Sequence, residues 1–127
     1  MNTATISRPN VADAYRKVER EAAIMGSNPR ALTILCYDEL IASLESALNA
    51  HRRDVPDRRR DALHRAASAL AALQLGIDRS LPIAVAISGL FDLAEQSLRT
   101  AIIRFTPAPI EAMTRDFIDI RDAMTNV

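Results

Sequence analysis

From Asn28 to Ala50 the chain reads NPRALTILCYDELIASLESALNA, and its apolar residues recur in steps of three and four. Set at about 100° per residue, Ile34, Cys36, Tyr37, Leu40, Ile41, Leu44, Ala47 and Leu48 share one arc, wider than a single neighbouring helix would cover. The spacing predicts a helix that packs against at least two others. Asn28 can accept from the free N–H groups of the first turn, and Pro29 already has the φ of the first helical position, so the start is well marked. Leu35 breaks the pattern. It falls among Asp38, Glu39, Ala42 and Ser46, an apolar side chain on a polar face that hints at a binding surface.

Three more amphipathic segments follow. Val55-Pro56 favours extended backbone and Asp57 suits an N-cap, predicting a second helix from about Asp57 to Ile77 with Leu63, Ala66, Leu70, Leu73 and Ile77 as its core stripe. Its other faces carry Ala62, Ala67, Ala69, Ala71 and Ala72, which would admit a close neighbour or leave a shallow trough, and which helix propensity alone also explains. Ser80 as cap and Pro82 in the first turn predict a third helix reaching about Arg104. Ile83, Ile87, Leu90, Phe91, Ala94, Leu98, Ala101, Ile102 and Phe105 make its main face, while Val85, Ala86, Leu93 and Ile103 form a second apolar strip. In the last helix, opened by Thr106 to Pro109, Ile110, Met113, Phe117, Ile120 and Met124 repeat as a coiled-coil-like seam. Short turns between long helices imply antiparallel neighbours. Ahead of the first helix, Val11, Ala14, Tyr15, Val18, Ala22 and Met25 make only a narrow stripe. The expected fold is all-α: an antiparallel up-down-up-down four-helix bundle over residues 28–127, with residues 1–27 as a short N-terminal helix or cap segment, in one domain.

A chain of 127 residues that is 49% apolar can build one ordinary core. Zero formal charge gives no global field to attract nucleic acid. The lone Cys36 excludes an intramolecular disulfide and a thiolate zinc site, and reads as a small buried hydrophobe. Without a long apolar run, and without the hydrophobic region of a signal peptide in MNTATISRPN, the expectation is a soluble cytoplasmic protein with no membrane insertion. The inward positions are almost all Leu, Ile, Phe, Ala and Met, and no phosphate loop or metal-binding pair is present, so no catalytic residue, cofactor or metal is expected. Arg59 and His64, in RRDALH, do have the Arg-x4-His spacing of HEPN ribonucleases, where an Arg holds phosphate and a His moves a proton. A solvated basic helix start is the stronger reading of Arg59 and His64, and the same applies to Arg52, Arg53, Arg58 and Arg60, partly offset by Asp54, Asp57 and Asp61.

Pro29, Leu32, Leu35, Tyr37, Asp38 and Ile41 are similar to the S-P-x-x-L-I-x-M-L-Y-D-G-A-I block of the flagellar secretion chaperone family FliS. Ala14-Tyr15 upstream, Arg65-Ala66, Leu70, Leu73, Ile77 and Asp78, and then Ile83-Ala84, Ile87, Leu90, Phe91 and Asp92 resemble further blocks in the same order. Ala86 stands where the family usually has Asn, Leu93 where it has a second Tyr, and Glu39 where a Gly follows Tyr-Asp. The resemblance implies an antiparallel bundle that binds the C-terminal segment of flagellin in the cytoplasm, prevents premature polymerisation and helps deliver it to a component of the export gate. It also implies that the N-terminal region occupies or borders the flagellin surface. The candidate surface is Tyr15, Ile34, Leu35, Tyr37, Asp38, Val85, Leu93 and Ile103. Two alternatives stand beside it: a HEPN-like ribonuclease on Arg59 and His64, and a self-associating bundle that forms a homodimer through the exposed apolar strips.

Overall fold

The computed structural model describes residues 29–77 and 79–125. Among these residues four helices make an all-α bundle: α1 (Pro29–Arg52), α2 (Pro56–Leu75), α3 (Ala84–Ile103) and α4 (Pro107–Thr125). The Asn28 cap and the N-terminal segment with its Val11, Tyr15, Val18 and Ala22 stripe lie outside the described residues.

The arc read from the sequence of α1 is the core. Leu40, Leu44 and Ala47 are fully buried, with Cys36, Tyr37, Ile41 and Leu48 nearly so. A 6→1 hydrogen bond from the Val55 N–H to the Ala50 carbonyl (2.9 Å) and a 5→2 bond from Asp54 to His51 (3.1 Å) end the helix as a Schellman motif. Asp54 takes the left-handed position, φ 57°, that glycine usually fills, a conformation its short polar side chain tolerates. The most extensive helix contact is α1 with α2. Ala62, Ala66, Ala69 and Ala72 are all buried, so small side chains do admit a close neighbour. Ala67 and Ala71 are half-buried and line a shallow trough of about 120 Å³ against α3.

Two caps fall elsewhere than expected. Pro56 itself begins α2 and forces the preceding Val55 to be extended (φ −118°, ψ 82°), so Val55 is the cap and offers no side-chain bond. Asp57 sits inside the first turn, where its charge still complements the helix dipole, and pairs with Arg60 at 3.3 Å. Before α3, the Ala84 N–H bonds the Leu81 carbonyl at 3.0 Å and closes a separate turn. Ser80 and Pro82 therefore precede the helix, Ile83 is its cap, and Ile83, read as a core position, is 59% exposed.

Phe117 of α4 holds the bundle closed. Its fully buried ring has its centroid 6.0 Å from those of Tyr37 in α1 and Phe91 in α3, while α3 and α4 otherwise share the fewest contacts of any packed pair. The α1–α4 seam is tied at its edge by Arg121, which donates to Asp38 at 3.1 Å, and by Arg30, which donates to the Met124 carbonyl. The Arg121 guanidinium is held protonated more firmly than usual by that Asp38 bond. Buried Thr114 is satisfied by its own helix, its hydroxyl donating to the Ile110 carbonyl at 2.7 Å. At the other end His51 packs on Phe105 (4.7 Å) and the Arg59 guanidinium lies 5.1 Å from the same ring. Arg59 is thus a packing residue rather than a freely solvated one, in a contact worth about 0.5–1 kcal/mol.

Truncating Phe117 removes the one ring shared by three helices. Phe117→Ala is expected to cost about 3–5 kcal/mol, read as a large drop in denaturation midpoint; an unchanged midpoint would show that α4 does not pack this way. Burial, and secondarily Cys36, push the Tyr37 hydroxyl above its ordinary value. An unfolded tyrosine ionises near about pH 10, so the stabilisation is intact below that and is lost as pH rises through the folded value. The midpoint should fall above about pH 10 in the parent and fall less in Tyr37→Phe, each compared with its own value at neutral pH. Identical alkaline limbs would contradict the assignment.

Candidate binding surface

The start of α1, the end of α2, the start of α3 and the end of α4 meet at one end of the bundle around a cavity of about 370 Å³. Its walls are mostly apolar: Leu32, Cys36 and Tyr37 from α1, Ala72 and Leu73 from α2, Ile87 and Phe91 from α3, and Met124 from α4. Ile77, Leu81 and Ile83 complete the rim, and Leu81 and Ile83 are more than half exposed. Pro29 opens α1 at this end.

From this end a second apolar feature runs along α3. Phe91, Ala94, Leu98 and Ala101 turn inward and are buried. On the opposite side Val85, Gly89, Leu93, Gln96, Thr100 and Ile103 are all exposed and none is charged. Val85 is 82%, Leu93 65% and Ile103 87% exposed. Their steps of four and three are those of a helix-packing seam, here without a partner among the described residues. Gly89 has open space where a side chain would stand, leaving a shallow notch in the middle of the strip. The charged residues of α3 stand beside the strip, and Arg99 and Glu95 pair with each other at 3.3 Å.

The fold separates the residues singled out from the sequence. Val85, Leu93 and Ile103 share the α3 strip. Tyr37 is a core residue that also walls the cavity, and Asp38 is exposed but engaged by Arg121. Ile34 and Leu35 are half-buried on α1, which lies diagonally across the bundle from α3 and packs on α2 and α4 instead. Leu35 sits opposite the core arc of its helix, so it faces away from the strip rather than sharing a groove with it. Tyr15 lies outside the described residues. The sequence reading missed the cavity and the middle of the strip. Gly89, Gln96 and Thr100 complete the seam only when uncharged polar residues are counted with apolar ones.

Arg59 and His64 stand five positions apart, about 140° around the helix, and the Arg59 guanidinium is committed to Phe105. Among the described residues no group of His, Cys, Asp and Glu is placed to hold a metal ion, and no helix is long and apolar enough to cross a membrane.

No curated protein and no solved structure matches the chain. Residues 11–127, nearly the whole length and every described element, match the family described as flagellar protein FliS. That family is one of chaperones and not of enzymes. The chain belongs to the FliS family of flagellar export chaperones.

Proposed function

We propose that this protein holds the C-terminal segment of a flagellin in the cytoplasm, keeps it from polymerising early and presents it to a component of the export gate. The observation that carries the reading is the uncharged exposed strip of α3, which starts at Val85, next in the chain to Ala84 of the cavity wall. A flagellin terminus is an amphipathic segment without a partner until it enters the filament, and a helical stripe is what such a strip accommodates. Burying each of Val85, Leu93 and Ile103 contributes about 1.5–3 kcal/mol before the cost of ordering the client is deducted. That deduction keeps the affinity moderate and permits release.

In the free protein the same strip would join two copies into a homodimer unless something covered it. We propose that the N-terminal segment does, its stripe of Val11, Tyr15, Val18 and Ala22 competing with the client. That α1 begins, at Pro29, at the cavity end of the bundle supports this reading. Contact with Ile34 and Leu35 requires a client that passes around to the far side of the bundle, so α3 and the cavity are the primary surface.

Titration calorimetry with a synthetic flagellin C-terminal peptide tests these roles together. The intact protein should bind, and Leu93→Glu should weaken binding by about tenfold or more without lowering the denaturation midpoint. Leu35→Glu should leave the titration unchanged. Removing Met1 to Met25 should tighten binding or bring on aggregation, seen by light scattering. Absence of heat and of co-elution with the cognate flagellin would rule out this client.

A further inference from the structure

The end of the bundle remote from the cavity carries the opposite chemistry. Between His51 and Arg65 there are six arginines and three aspartates, in a chain whose formal charge is zero. Two of these arginines, Arg58 and Arg59, occupy the first turn of α2, where the helix dipole disfavours cations. Packing on Phe105 explains Arg59. It does not explain Arg58, which is exposed. Arg58 joins Arg53 and Arg65 around a groove of about 350 Å³ between the last turns of α1 and the first turns of α2, with Ser46, Asn49 and Asp61 among its other walls. Among the described residues none of the three arginines makes an ion pair, although Asp61 lines the same groove.

We propose that this groove docks an acidic segment of a partner protein, separately from the apolar surface at α3. A guanidinium fork takes a carboxylate through two parallel N–H donors, and three forks around one concavity fit carboxylates spaced along an extended peptide. Asn49 and Asp61 offer that peptide's backbone a donor and acceptors. Nucleic acid fits less well. Asp61 stands inside the groove, and the groove along α1 and α4 sets Glu45 and Glu111 beside the single Arg52, so a phosphate backbone leaving the arginines meets more carboxylates than cations. Among the described residues no aromatic ring lines the groove to stack a base, and Phe105 is flanked by His51 and Arg59. The groove and the apolar cavity lie at opposite ends of α1 and α2, so both can be filled at once.

Fluorescence anisotropy of the intact chain with a fluorescein-labelled peptide of alternating Glu and Ser tests the site. Binding should saturate, weaken as salt is added, and fall by about tenfold or more in Arg58→Glu/Arg65→Glu. Arg115→Glu, on the exposed face of α4, should bind as the parent does. A single-stranded oligothymidylate of equal length should bind more weakly than the peptide. Circular dichroism establishes that each variant is folded, and Arg58→Gln/Arg65→Gln replaces the charge reversal if that one is not. Absence of saturable binding, equal loss in Arg115→Glu, or tighter binding of the oligonucleotide would overturn the proposal. Because the peptide carries no apolar stripe, none of these results depends on whether flagellin is the client.

Discussion

The contact on which the bundle depends is the one Phe117 makes with Tyr37 and Phe91. α1 and α2 form the broad, alanine-lined half of the structure, and α4 is tied back to α1 by packing and by the Arg121–Asp38 bond. α3 has no comparable bond to α4. It is held by one inward face against α2 and by the Phe91 ring against Phe117. The α2 interface and that shared aromatic ring together set where α3 sits, and with it the position of every exposed residue on that helix.

A helix gripped on one face leaves the other free, and in α3 the strip from Val85 to Ile103 on that free face carries no charge, with Asp92, Glu95 and Arg99 standing to one side of it. The apolar cavity adjoins its first turn. The fold and the proposed binding surface thus meet in α3, whose inward face is packed and whose outward strip is uncharged.

Much of the fold was legible because heavy apolar residues recur at helical steps. The core arc of α1, the Leu63, Ala66, Leu70 and Leu73 stripe of α2, and Ile110, Met113 and Phe117 of α4 are buried as their spacing demands. Caps were less legible: Pro56 overrides the capping preference of Asp57, and the turn closed at Ala84 pushes Ser80, Pro82 and Ile83 ahead of α3. The exposure of Val85, Leu93 and Ile103 could be read from the helical wheel, but the partner of that strip could not, and it rests on family membership. Leu35 shows the limit of a wheel drawn for one helix. Its place opposite the core was visible, but the diagonal relation of α1 to α3 is a property of the assembled bundle. The cavity was hidden for the same reason, since four helix ends form it and no single segment encodes it.

Site-specific photo-crosslinking to full-length flagellin tests the central role of α3 most directly. With a benzophenone side chain placed in turn at Val85, Leu93 and Arg115, the two α3 positions should capture flagellin and the α4 position should not. Capture from Arg115 alone, or none from Val85 and Leu93 when flagellin co-elutes with the protein, would contradict it.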